Sequence, residues 1–596
     1  MDPKDHPHAL SESFVDAGIW SRAFTWLAPV MLVIVALLPY AQVGEFSFVN
    51  YDDPLHVGLQ SEVLSGLNGN SVKWALGATP SNLWHPLTWM SYMAEVSFFG
   101  GGVESPSVHH RGNLLLHLAC VLIVYAIMRT LALSPLLAML MAMLYALHPL
   151  HAEPVSWISA RKDVLSGVFS LSAIWMYLLH QKCGSGDRGS WKKRGMALLV
   201  FALLILALCS KPSSVVVPLL MVVAYGFLER DENLPANPVP VFAHKMLSLW
   251  PYLLLAVVVA GVAVGLQHSG THGQTVLQQS AFERLAYLPA LLGFYGWRII
   301  FPWGLTFDYP LPSGSSLVVF YGFGLLMVAG VFLAWRWRRS LPGLALGGLW
   351  FFVCLLPVMG FVYVGTSFSS DRYVYLALIG PVIALARIIE SRRGREKAVW
   401  MTVAVVLIGL SALLTQKQVA VWKSDETLFG HAVAFQPASL TAQTNMASYY
   451  RTVGDKRLAM DHYQLALKIA PYDHIVNYNI ADIHYRNGEW QKAKDAALRV
   501  VESVPRFHRA HYLLGNISSD PSKPLTYDAG QAFEHFELAY RTAPSMPKYA
   551  YAYARQLAIR KRNGQALEIL ERGASYLPPG SPWKARFQSG IEALSR

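Results

Sequence analysis

Cysteine is scarce in this chain, four residues in 596, and so is charge, with Asp, Glu, Lys and Arg together making only 14%. The cysteines stand apart at 120, 183, 209 and 354 without paired spacing, which excludes a disulfide framework and a cysteine-based zinc site. So small a charged fraction, beside 54% hydrophobic residues and a mean hydropathy of +0.33, excludes a single water-soluble domain. Acidic residues are the scarcer sign, 37 against 49 basic ones, for a formal net charge of +12. In a soluble chain that excess points to nucleic acid. Here Lys192-Lys193-Arg194, Arg336 with Arg338 and Arg339, and Arg392-Arg393 with Arg395 and Lys397 adjoin apolar runs, as positive-inside anchors do. No nucleic-acid partner is expected.

What the chain has is long apolar runs, nearly all before residue 416. Eleven are expected to cross a membrane: 24–42, 113–129, 133–148, 164–180, 196–210, 212–228, 247–266, 316–335, 343–360, 372–389 and 399–415. The first begins after Arg22 without a persuasive cleavage site and is expected to be retained. Alternation from a cytoplasmic tail at 1–22 then puts the charged loops 181–195, 229–246, 336–342 and 390–398 inside. A further apolar stretch, 282–301, would invert every later span if it crossed, so it is assigned to a re-entrant or interfacial helix. The reading gives a membrane domain over 23–416 with an outer loop at 43–112, a junction at 417–436 and a soluble domain at 437–596 on the far side. In a Gram-negative cell that side is the periplasm.

The polar remainder has a period. Prolines fall at 437, 471, 505, 544 and 578, separations of 34, 34, 39 and 34 residues, the length of a tetratricopeptide repeat. Asn445 to Tyr450 aligns with Asn479 to Tyr485 one period on, and small residues such as Ala459 and Ala493 recur where paired helices meet. About four repeats are expected, with the extra residues of the longer unit inside 515–530. Their concave face is expected to carry Tyr449, Asn479, Tyr485, His511, Tyr512 and Tyr549, residues suited to holding an unfolded or flexible segment, with recruitment of an assembly partner as the alternative.

Chemistry-bearing residues collect on the outer face. Phe48-Val49-Asn50-Tyr51-Asp52-Asp53-Pro54 offers two adjacent carboxylates beside an aromatic ring, a general base with a neighbour able to orient it or raise its proton affinity. The bland alternative is a capped turn. Asp52 and Asp53 are not separable by spacing. Trp84-His85-Pro86 and His109-His110-Arg111 mix aromatic and polar groups, as short helices at headgroup level do. His148, His151 and Glu153 precede Arg161 and Lys162, two cations suited to a phosphate or to headgroup anchoring. Prolines break the backbone between the histidines and their spacing is not that of a helical ligand pair, so no metal and no cofactor is expected. Lys211, Asp371, Arg372 and Tyr373 come to the same face by parity; Asp371 and Arg372 fit an internal ion pair equally well. Such a set suits an anionic lipid-linked substrate with a neutral acceptor, or a channel vestibule.

At these motifs the chain resembles the transmembrane and tetratricopeptide repeat glycosyltransferases, the family that contains the animal protein O-mannosyltransferases. The resemblance runs through Phe48–Pro54, Trp84–Trp89, His110–Asn113, His148–Gly167, Lys211-Pro212, Phe307–Pro310, Gly365–Leu376 and Trp422–Phe429. It implies an all-α polytopic membrane glycosyltransferase fold of the GT-C type followed by a repeat solenoid. It also implies a polyprenyl-phosphate sugar donor, an exported protein or peptide acceptor held by the repeats, and transfer to Ser or Thr with inversion in a bacterial inner membrane. On that mapping Asp52 and Asp53 are catalytic, and Arg161, Lys162, Lys211 and Arg372 bind the donor phosphate. Tyr51, His85, His110, Arg111, His148, His151, Glu153, Asp371 and Tyr373 support them. Ser159-Ala160 and Ser213-Ser214 depart from the family pattern and leave the donor sugar open. A lipid or glycan acceptor, or a non-catalytic envelope scaffold, is the competing reading.

Overall fold

The computed structural model describes residues 27–78, 84–183, 191–229, 239–268, 281–338, 341, 343–359, 368–522, 525–577 and 581–595. The expectations set on the tail 1–22, Arg339, residues 365–367 and Pro578 lie outside the described residues. Among the described residues the architecture is all-α, with one isolated bridge between Tyr309 and Ser369. The chain divides into two compact units, Met1–Gln436 and Pro437–Arg596.

In the first unit, seven helices are long and apolar enough to cross a membrane, or nine when two bent pairs each count once. Proline sits at the start of Pro86–Phe99, Pro106–Thr130 and Pro135–Ala146, where its missing N–H costs no hydrogen bond. The same chemistry bends the pair Pro135–Ala146 and Pro149–Ser156 by 55° at Pro149. Gly314–Arg336 and Gly394–Val421 bury only 11% and 17% of their apolar windows and turn the rest outward, as helices solvated by lipid do.

Two of the eleven expected crossings are corrected. Residues 343–360 form Leu344–Leu355 and a short turn that ends beyond Pro357, and residues 372–389 yield Ile379–Ser391, preceded by a tight turn at Asp371–Val374. Helices of 12 and 13 residues fall well short of the roughly 20 that span a hydrocarbon layer. The stretch 282–301 becomes Ala281–Ala286 and Leu288–Ile300. The second of these lies backbone to backbone on Gly314–Arg336, because a Cβ at Gly293 or Gly324 would collide with main chain of the facing helix.

The second unit is a run of antiparallel helix pairs: Leu440–Val453 with Lys456–Ile469, His474–Arg486 with Trp490–Ser503, His508–Ser518 with Ala529–Thr542, and Pro547–Ile559 with Asn563–Ser575, followed by Trp583–Ser595. Buried Ala447, Ala459, Ala481, Ala493 and Ala497 let the helices approach. Asp455, Asp473 and Asp528 cap helix starts by accepting main-chain N–H bonds. The longest interval within a pair, Ser518 to Ala529, falls inside 515–530. This is a tetratricopeptide-type helical-repeat solenoid.

Candidate functional site

The acidic motif folds as a turn whose two carboxylates have different surroundings. The Asp52 carbonyl accepts from Leu55 N–H at 3.0 Å and His56 N–H at 3.1 Å, which fixes the chain reversal that Pro54 begins. Asp53 points inward and is fully buried: Oδ1 accepts from Ser159 N–H at 3.0 Å and Ser159 Oγ at 2.6 Å, and Oδ2 accepts from Val49 N–H at 3.1 Å. Burial raises its pKa to about 7, against the three donors, which pull it down. Asp52 is half-buried and, among the described residues, its carboxylate accepts no hydrogen bond. Its charge acts on Lys162 and on Tyr51. The Tyr51 ring is held between Trp157 at 5.3 Å and Phe307 at 4.8 Å. Ser159, which sequence reading set down only as a departure from a family pattern, is what anchors Asp53.

The four cations expected to meet phosphate separate into kinds. Arg161 is 2% exposed and nearly saturated: Nε donates to Asn113 Oδ1, Nη1 pairs with Glu95 Oε1 at 2.8 Å, and Nη2 donates to Glu95 Oε2 at 3.0 Å and His109 O at 2.7 Å. This corrects its assignment, since a guanidinium so enclosed is a clamp between helices. Lys211 pairs with Asp163 at 2.5 Å, Arg372 pairs with Glu153 at 2.5 Å through one Nη, and Lys162 donates to Ser159 O at 3.0 Å. Each of these three keeps further N–H donors. Arg372 lies 5.2 Å above Trp157 and 5.1 Å from the Tyr373 ring, whose other neighbour is Lys211 at 5.4 Å. Asp371 is not the partner of Arg372; it accepts from Tyr309 Oη at 2.9 Å.

Lys211, Arg372 and Tyr373 line one partly open cleft with a cavity volume of about 50 Å³. Asp163, Ser213 and Ser214 add polar groups to its lining, and Val216, Val217, Pro357, Val358 and Leu376 add apolar ones. A lining that combines cations with aliphatic side chains suits an anionic amphiphile.

The supporting residues are dispersed. His85 stacks on Trp89 at 4.7 Å, and the burial of its ring holds its pKa well below the usual histidine range. His110 has Nδ1 2.8 Å from Ser156 O and Nε2 3.3 Å from Ser47 O, of which a neutral ring donates to one, and Arg111 is exposed over Gly44. His148 Nε2 donates to Ile299 O at 3.0 Å while its Nδ1 accepts from Leu150 N–H at 3.3 Å, so both nitrogens are committed. His151 packs edge-on to Tyr145 at 4.5 Å. Sequence reading missed Glu95 altogether; the available signal was a lone carboxylate in the otherwise uncharged helix Pro86–Phe99.

In the second unit Tyr449, Asn479, Tyr485 and Tyr512 are half-buried. The expectation of an open face fails at two positions. Tyr549 is wholly buried with its hydroxyl 2.9 Å from His508 Nδ1, and His511 is buried between Pro505 O at 2.9 Å and His535 Nδ1 at 3.1 Å. Their rings fill the space between successive helix pairs.

These features define a polytopic membrane protein with a buried acidic and basic site and a helical-repeat domain. No family model matches the chain. It is similar to protein O-mannosyl-transferase TMTC3 of Mus musculus, 23% identical over 509 residues, covering 70% of this chain and 54% of that protein. It is also similar to protein O-mannosyl-transferase TMTC1 of Homo sapiens, 24% identical over 451 residues, covering 66% and 48%. The chain thus spans about half the length of the curated relatives it matches. Among solved structures, the apo Archaeoglobus fulgidus oligosaccharyltransferase aligns at a TM-score of 0.40 and 12% identity over 67% of this chain and 56% of that one.

Proposed function

We propose that this protein is a membrane glycosyltransferase of the GT-C type that moves a sugar from a polyprenyl-phosphate donor to Ser or Thr hydroxyls of exported polypeptides. The observation that carries the reading is the division of labour in the acidic turn: Asp53 is consumed as an anchor while the Asp52 carboxylate is free beside Lys162. Asp52 is the base. It takes the proton of the acceptor hydroxyl as the oxygen forms its bond to the anomeric carbon, the bond from that carbon to the phosphate oxygen breaks, and the electron pair leaves on the lipid phosphate. Attack from the face opposite the leaving group inverts the anomeric centre.

Lys211 and Arg372 hold the phosphate with the donors they have left over, and Lys162 feels the charges of Arg372, Lys211 and Asp52 alike. Fixed cations of this sort lower a barrier by about 3 kcal/mol each where charge develops in a water-poor site. The apolar side chains that line the cleft take the first isoprene units. The similarity to protein O-mannosyl-transferases supports the reaction class, and the bacterial inner membrane with outward-facing repeats is the setting that fits the basic loops.

The test is glycopeptide mass spectrometry of envelope proteins from cells carrying wild type, Asp52→Asn or Asp53→Asn. Asp52→Asn should remove the glycan mass while the protein stays folded and abundant. Unchanged glycan mass in that variant refutes the assignment of the base, and unchanged mass on deleting the gene refutes the reaction.

A further inference from the structure

The repeat solenoid ties many of its charges into pairs along single helices, among them Arg457 with Asp461, Arg486 with Asp482 and Arg541 with Glu537. Two cations on the first helices of successive repeats are different. Arg509, on His508–Ser518, lies with its guanidinium carbon 4.4 Å from the Tyr478 ring centre. Lys548, on Pro547–Ile559, has its ammonium 5.2 Å from Tyr549 and 5.5 Å from Tyr512. Among the described residues, neither has a carboxylate within ion-pair distance.

The two charges are close enough to act on each other. Partial burial and then the Arg509 charge draw the Lys548 ammonium below the usual lysine range. The one acid that acts on Lys548 in return is Asp482, already shared between Arg486 at 2.9 Å and Arg451 at 3.9 Å. Asp482 is thus engaged by two other arginines. Beneath them runs a chain of ring contacts: Tyr478 meets Phe507 at 5.6 Å, Phe507 meets His508 at 6.0 Å, His508 meets the buried Tyr549 at 5.4 Å, and Tyr549 meets Tyr512 at 5.1 Å.

Like charges held over tyrosine rings, with no carboxylate in ion-pair contact among the described residues, repel one another until an anion comes between them. Tyrosine faces stabilise the cations but leave their N–H donors free to bind a carboxylate. The half-buried rings of Tyr478, Phe507 and Tyr512 beside them take proline or aliphatic side chains of an extended chain. We infer that Arg509 and Lys548 form an acid-selective subsite on the repeats, recognising an Asp or Glu side chain of an extended polypeptide segment. The inference rests on the proposed reading only in taking that polypeptide to be the acceptor. Binding of the segment itself is separate from transfer.

The test uses the full chain in phosphatidylcholine nanodiscs and two fluorescein-labelled 15-residue peptides of Ser, Thr, Pro and Gly, one with a central Glu-Asp-Glu and its twin with Gln-Asn-Gln. Fluorescence anisotropy should give a Kd about tenfold lower for the acidic peptide, a preference that shrinks as salt rises from about 50 to 500 mM. Arg509→Gln with Lys548→Gln should remove the preference while circular dichroism melting is unchanged. Arg509→Glu with Lys548→Glu should reverse it toward a Lys-Arg-Lys peptide, an outcome that a merely unfolded variant does not produce. Equal binding of the two peptides to wild type, or a preference that survives both variants, overturns the inference. So does loss of the preference in nanodiscs containing phosphatidylglycerol, which would give the patch to lipid headgroups. Acidic selectivity in binding with no glycan transfer leaves the subsite standing and refutes the proposed enzyme; transfer without selectivity does the reverse.

Discussion

Asp52 and Asp53 are chemically identical neighbours that the fold makes unequal. Sequence spacing could not separate them because the deciding partner, Ser159, is 106 residues away. The shift at Asp53 carries a pH dependence whose sign follows from proton uptake. Between the unfolded value near 3.8 and the folded value near 7, the carboxyl is protonated in the fold and ionised in the unfolded chain. Folding takes up a proton there, so the Asp53 contribution to stability is fully present below that window and is lost as pH rises through about 7. Thermal unfolding in detergent should show wild type losing stability from pH 5 to pH 8 by more than Asp53→Asn does, and an equal slope in the two proteins would contradict the assignment. At Arg372, replacement by Lys keeps the charge but loses the planar fork. Donor KM should rise about tenfold with Arg372→Lys and further with Arg372→Ala, while the acceptor-peptide Kd is unchanged.

Helices were more legible than the contacts that join them. The 34-residue spacing of the prolines and the apolar windows are local patterns, whereas the clamp of Glu95, Asn113, His109 and Arg161 joins three helices that no local pattern links. The arginine was visible in sequence, but its saturation was not, and that is why it read as a phosphate ligand. Two short helices were overread as crossings because an apolar window says nothing of where Pro357 or Asp371 will end it. The clamp itself is testable. Glu95→Gln leaves a buried guanidinium short of its counter-charge and should cost about 3–5 kcal/mol, seen as a lower detergent unfolding temperature and low yield. Gly112→Ala should do similar harm, since its Cβ would meet the Glu95 carboxylate and stand 2.7 Å from Arg161. Pairing Glu95→Leu with Arg161→Met should recover most of the loss, as apolar replacements of enclosed ion pairs do. No recovery would mean that the clamp does more than hold helices together.

At the scale of the whole chain, the mean hydropathy of +0.33 is an average over two folding problems, one whose outer helices are solvated by lipid and one whose core is alanine packed between paired helices. Each unit has its own interior, so removal of the second should leave the first folded. On the proposed reading the acidic turn, the cations and the cleft all belong to Met1–Gln436, and Pro437–Arg596 acts on the acceptor alone. Deleting 437–596 should therefore preserve the thermal transition of the membrane unit and its donor-lipid Kd. Transfer to a short soluble peptide, measured at saturating concentration, should fall less than threefold. Modification of full-length exported proteins should fall by about tenfold or more, because the local concentration that tethering supplies is lost. If the truncated protein modifies native acceptors at the full rate, the repeats serve another partner. If it loses donor binding as well, the repeats contribute to the membrane site itself and the division of labour between the units is wrong.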